Sequence, residues 1–201
     1  MEHPSGTDGT NGSPDDDYDP LFRYDRPIFR DKTLLEIGHL PDPDKVVGRD
    51  TQMQRVANAL NPAIFGEAPT ALLIFGKTGT GKSLTARMVT ERLKPEAAER
   101  GTSVETVILD CGEETTETAA VKTIADKLND ADETGVTVPL RGLSKSDYYK
   151  RLWTIVDTMT DIVFVIFDEV DMLEDDEVLR TLSRARENQK LVDSRVGIIG
   201  I

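Results

Sequence analysis

Cysteine occurs once in the 201 residues, at Cys111, which excludes an intrachain disulfide and a cysteine cluster for zinc. Histidine occurs twice, His3 in a polar tail and His39 in a stretch before Pro41, so neither is expected to ligate a metal. No apolar run approaches the roughly 20 residues that a membrane span needs. The N-terminus, MEHPSGTDGT, has neither the basic start nor the apolar middle of a signal peptide. Positive charge is also short: 24 Lys and Arg face 37 Asp and Glu, a net charge of −13. A broad nucleic-acid-binding face would show as net positive charge, so any such contact is expected to be local or to lie outside this chain. Lysine is the scarcer base, at 10 against 14 arginines, and the acid excess fits a surface kept hydrated and screened in high salt. These absences predict a cytoplasmic protein.

What is present is enough for one packed domain with a tail: 38% of the residues are hydrophobic, with apolar runs at 72–75 and 162–167. Residues 1–20 hold six acids and no Lys or Arg, too little apolar surface to offset the entropy of ordering, and are expected to be a disordered acidic tail. Residues 21–45 read as a linker in which Phe22, Tyr24 and Phe29 dock on the domain, and residues 46–201 as the domain itself. Asp50 is placed to cap a helix with the stripe Met53, Val56, Ala57 and Leu60. A strand over Ala71–Phe75 runs into a glycine loop and a helix from Lys82 to about Lys94, ended near Pro95. A strand at Val104–Asp110 precedes a helix carrying Val121, Ile124, Ala125 and Leu128. Ser144-x-x-Asp147 forms a capping box for a helix with Tyr148, Leu152, Ile155, Val156 and Met159, and Trp153 is expected to pack, partly exposed. Ile162–Phe167 is apolar throughout, as a central parallel strand covered on both faces would be; a helix over about 176–188 and a strand at Val196–Ile201 follow. Strands alternating with helices predict an α/β fold, a parallel sheet with helices on both faces.

Two stretches carry chemistry. Gly76-x-x-x-x-Gly81-Lys82-Ser83 matches the P-loop pattern in full, between a strand and a helix. Its glycines let backbone N–H groups turn toward phosphate, Lys82 sets a charge at the β/γ-phosphates, Ser83 offers a hydroxyl to Mg²⁺, and the helix points its positive end at the anion. Lys77, Thr78, Gly79, Thr80, Gly81, Lys82, Ser83 and Leu84 are the candidate nucleotide contacts. The second stretch, IVFVIFDE, ends a buried strand in two carboxylates where open α/β sheets bind ligands. Asp168 would join Ser83 in holding the metal, and Glu169 would orient or deprotonate the attacking water, with Lys82 as its catalytic counterpart.

Three stretches together resemble the AAA+ ATPases, and among them the archaeal origin-recognition (Orc/Cdc-type) DNA replication initiators. Val46-Val47-Gly48-Arg49-Asp50 with the helix after it is similar to the segment that lies over adenine in that family, which implies base contacts from Val47, Gly48 and Arg49. The nucleotide loop is GKTGTGKSLTARMV. The third, VPLRGLSKSDY before a Trp-containing helix, is similar to the insertion by which these initiators touch DNA and implies contacts from Arg141 and Lys145. Residues 141–151 carry four bases and one acid, a local excess in an acidic chain. The resemblance implies ATP or ADP with Mg²⁺ as ligands, double-stranded origin DNA as partner, helicase or other initiator subunits beside it, and a nucleoid-associated location. Alternatives are another AAA+ enzyme such as a clamp-loader-like or helicase-loading ATPase, and a non-catalytic nucleotide-binding regulator. Beyond position 201 the family adds a sensor residue, an arginine finger, a lid and a winged-helix domain. The expectation is therefore an AAA+ domain cut after its fourth core strand, an ATPase at full length whose 201 residues hold ATP with little turnover.

Overall fold

Strand periodicity and helix stripes resolve, in the computed structural model, into a four-stranded parallel sheet in the order β1-β4-β3-β2. The structure describes Leu40, Pro41 and residues 46–201; the expected tail and the linker anchors Phe22, Tyr24 and Phe29 lie outside the described residues. The strands are β1 (Leu72–Leu73), β2 (Val104–Asp110), β3 (Ile162–Asp168) and β4 (Arg195–Gly200). The helices are α1 (Asp50–Leu60), α2 (Lys82–Ala98), α3 (Glu117–Leu128), α4 (Ala131–Thr134), α5 (Lys145–Met159) and α6 (Glu177–Ser183). Because β3 is central, its residues alternate between two apolar layers. Ile162, Phe164 and Ile166 pack with α1 and α2, and Val163, Val165 and Phe167 with α3, α5 and α6. The α/β parallel fold with helices on both faces is thus as expected.

The path of the chain explains where a ligand can go. The connection from β1 through α2 crosses one face to reach β2 at the far edge, and the later connections return on the other face. That reversal leaves a crevice at the carboxyl ends of the strands. The register aligns Asp110 with Asp168, so the ends of β2 and β3 finish side by side at this edge. Among the described residues no helix is long and apolar enough to cross a membrane.

Several local expectations are corrected. Arg49, not Asp50, is the residue before α1, and no side-chain cap bond forms there. β1 is shorter than Ala71–Phe75 because it pairs only with β4; one further bond, Ile74 N–H to the Gly200 carbonyl at 2.8 Å, extends the pairing. α2 runs through Pro95 to Ala98: a proline in the last turn forfeits one bond, and the full burial of Ala97 holds the chain helical beyond it. α6 stops at Ser183 rather than near 188, and turns carry the chain to Ala185 and Leu191, both buried. The capping box exists in altered form: Ser144 Oγ accepts from the Asp147 N–H at 3.2 Å and donates to the Asp147 carboxylate at 2.7 Å. Trp153 is buried, stacked on Tyr149 with ring centroids 5.5 Å apart.

Candidate functional site

The glycine loop is built for close approach by an anion. Gly79 and Gly81 hold φ of 74° and 75°, in the left-handed region that a Cβ disfavours. Those conformations turn the chain through the loop and into α2, whose first residue is Lys82. Two bonds tie the loop internally, both to the Lys77 carbonyl: Thr80 Oγ1 donates at 2.7 Å and Lys82 Nζ at 3.5 Å. Thr85 Oγ1 donates to the Gly81 carbonyl at 2.8 Å, fixing the first turn of the helix. Unpaired N–H groups at this helix start, with the dipole behind them, favour negative charge in front of them.

Across the crevice, Ser83 Oγ donates to Asp168 Oδ1 at 2.8 Å, joining residues 85 positions apart in the sequence. A hydroxyl and a carboxylate presenting oxygen side by side are the donor set that a hard divalent cation takes. A cavity of about 890 Å³ lies here, walled by Thr78, Gly79, Gly81, Lys82, Ser83 and Leu84 on one side and by Asp168, Glu169 and Met172 on the other. Its volume falls within the usual range for cofactor pockets. Leu73 and Phe75 also line it, with 63% and 87% of their surfaces exposed.

The segment expected over adenine comes near the glycine loop at Arg49. The Arg49 guanidinium stands over Gly81, with Nη2 3.7 Å from where a Cβ on that glycine would sit. Val47 is 88% exposed, and none of Val47, Gly48 and Arg49 contributes to the cavity wall.

Glu169 adopts φ 54° and ψ 48°, the left-handed region, where a side chain costs about 1–2 kcal/mol. The twist sends successive carboxylates different ways. Asp168 turns to Ser83, while Glu169 turns toward the end of β2, where its Oε2 comes within 3.2 Å of the Cβ position of Gly112. Asp110 Oδ1 is equally close to that point and accepts from the Gly112 N–H at 2.9 Å. The sequence marks this pair only by the acid that closes the 104–110 strand. Between them Cys111 is fully buried, and its thiol is pushed up to about 12 by burial, then by the charges of Asp110, Asp168, Glu169 and Asp171. The thiol therefore stays protonated and inert. Glu169→Gly is expected to raise stability by about 0.5–1 kcal/mol, the left-handed cost relieved less the entropy of glycine. Urea unfolding measures it, and a loss of stability would show that the side chain itself holds the end of β3.

The expected DNA residues separate. Arg141 is exposed in the loop before α5, next to Leu140, 74% exposed. Lys145 Nζ lies 2.5 Å from Glu117 Oε2, Lys150 pairs with Asp147 at 3.0 Å, and Arg151 donates to the Thr137 carbonyl. Most of the local positive excess is thus neutralised or bonded within the protein.

Comparison with known proteins accords with this geometry. An AAA domain family model matches residues 67–199. ORC1-type DNA replication protein 2 of Halobacterium salinarum is 46% identical over 191 residues, which cover 95% of this chain and 72% of that protein. The chain belongs to the ORC1-type DNA replication protein family. ORC1-type DNA replication protein 4 of the same organism is 47% identical over 95% of this chain, but the match spans only 46% of its own length. Relatives from Halobacterium salinarum and Haloarcula marismortui accord with the high-salt reading of the acidic surface. The ORC1 protein of Aeropyrum pernix, solved in complex with DNA, superposes with a TM-score of 0.62 at 35% identity over 81% of this chain and 42% of that one. The Aeropyrum pernix ORC2 protein, solved as ADPNP–ADP complexes, shares the fold with a TM-score of 0.66 at 22% identity. The chain spans about half the length of these two solved proteins.

Proposed function

We propose that this chain is the nucleotide-binding part of a replication initiator, which binds ATP with Mg²⁺ and, under its control, double-stranded origin DNA. The observation that carries the reading is the 2.8 Å bond from Ser83 to Asp168 at the foot of a glycine loop with two left-handed glycines. Two distant segments meet there in an arrangement suited to both phosphate and a hard cation. Lys82 would neutralise the β/γ-phosphates, Ser83 and Asp168 would hold Mg²⁺, and Arg49, with Val47 and Gly48, would face the base. Mg²⁺, when bound, supplies positive charge to the phosphate oxygens. Glu169 would take the proton of an attacking water, its left-handed backbone aiming the carboxylate away from the metal ligand beside it.

DNA contact is proposed at Arg141, exposed in its loop, and is supported by the DNA-bound relative. In molar KCl, titration with MgATP is expected to saturate at one nucleotide per chain. Duplex DNA is expected to bind with an affinity that falls steeply with salt, and Arg141→Ala to reduce the slope of log affinity against log salt by about 0.9, one phosphate contact. A folded chain that takes up no MgATP would overturn the nucleotide reading, and an unchanged slope the Arg141 contact.

A further inference from the structure

Glu117, the first residue of α3, is poorly placed for an ordinary surface acid: its side chain is only 10% exposed. Both of its oxygens are engaged. Oε2 accepts from Lys145 Nζ at 2.5 Å, and Oε1 accepts from the Tyr149 hydroxyl at 2.9 Å. Lys145 and Tyr149 stand four residues apart, on one face of the first turns of α5, and Tyr149 is itself fixed by its stack on Trp153. The carboxylate holds the lysine ammonium protonated beyond the ordinary lysine range, while burial, with Glu117 added, keeps the phenol neutral.

The same two turns of α5 hold the loop that precedes them. The Tyr148 hydroxyl donates to the Pro139 carbonyl at 2.8 Å, and Arg151 donates to the Thr137 carbonyl. The direction of Arg141 is therefore set by where α5 begins, and the start of α5 is pinned to α3 through Glu117.

We propose that Glu117, Lys145 and Tyr149 form a positioning clamp for the 137–144 loop, and that Lys145 serves DNA binding through Glu117 rather than by touching phosphate. The proposal rests on the reading that duplex DNA binds at this loop. Its physical basis is the cost of the alternative. An ammonium that left Glu117 for a phosphate would strand a nine-tenths-buried carboxylate without its cation. While paired, the two charges nearly cancel and offer DNA little field.

The two roles of Lys145 predict opposite signs at Glu117. If Lys145 bound phosphate, Glu117→Gln would free its charge and strengthen DNA binding. As a clamp, Glu117→Gln and Lys145→Gln each weaken DNA binding by roughly tenfold, and the double variant by no more than either alone. Throughout, the salt slope stays that of the unaltered chain and MgATP affinity is unchanged. Exchanging the charges, Glu117→Lys with Lys145→Glu, restores affinity for a clamp and destroys it for a phosphate contact. A slope reduced by about 0.9 in Lys145→Gln, with tighter binding in Glu117→Gln, would overturn the proposal. If the unaltered chain bound no duplex DNA at any salt, the functional reading would fail, and the clamp would be read separately. Urea unfolding of the single and double variants should then show losses that do not add, and additive losses would refute it.

Discussion

Gly197→Ala is expected to cost this domain a large share of its stability. In the parallel register Gly197 lies beside Phe164, whose ring occupies the space a side chain on Gly197 would need. A Cβ there would sit 2.5 Å from both Cδ1 and Cε1 of Phe164 and 2.7 Å from Cγ of Pro69. Neither neighbour can yield cheaply. Phe164 is fully buried in the layer under α1 and α2, and the proline ring can shift its Cγ only by changing pucker. Overpacking of this kind costs typically about 1–3 kcal/mol, and contact from two rigid rings puts this position at or above the top of that range. Against a total stability of about 5–15 kcal/mol the loss is large. Urea unfolding in molar KCl should show the midpoint collapse, and Phe164→Leu, added to Gly197→Ala, should recover part of it by freeing the space. A wild-type midpoint for Gly197→Ala alone would refute the close approach.

That glycine also marks what the sequence could not convey. Val196–Ile201 reads as a strand from its apolar run, and a glycine within a strand hints at a close neighbour. That the neighbour is Phe164 follows only from the register of β3 against β4. The central elements were legible because their signals are local: β2 runs from Val104 to Asp110 as its residues suggest, and β3 adds only Asp168 to the expected span. Elements governed by distant partners were not. β1 shrinks to two residues because it has one neighbour in the sheet, and α2 passes Pro95 because Ala97 is packed. α4 has four residues, too few for a periodicity, and its signal was the pairing of Asp130 as cap with Gly135 in the left-handed region.

The site divides in the same way. Loop, lysine and metal-type ligands sit in two contiguous stretches, and spacing alone brings out their chemistry. Asp110 and Gly112 belong beside Glu169 only because β2 and β3 end in register. Lys145 was counted toward a local positive excess, whereas Glu117, 28 residues earlier, neutralises it. A charge count along the chain cannot register a partner supplied by another helix.

Lys82→Ala is expected to lower MgATP affinity by at least about a hundredfold while leaving the fold intact. The ammonium lies at the start of α2, in the wall of the cavity, and bonds only weakly, at 3.5 Å, to the Lys77 carbonyl. Little of the fold therefore depends on it, and its charge is available to a ligand. Opposite a triphosphate it would make two charge-assisted bonds, to the β- and γ-phosphates, each worth about 1.5–3 kcal/mol, so losing both weakens binding by roughly 10²–10⁴-fold. The loop N–H groups, Ser83 and Asp168 remain, but none of them carries positive charge. Two measurements separate loss of site from loss of fold. Far-UV circular dichroism of Lys82→Ala in molar KCl should match that of the unaltered chain. At a nucleotide concentration of 100 times Kd the unaltered chain should gain about 2.7 kcal/mol of stability, and its melting temperature should rise accordingly. The variant should show no such rise at the same concentration. A folded variant whose melting temperature climbs with MgATP as far as that of the unaltered chain would place the phosphates elsewhere and overturn the assignment of the loop.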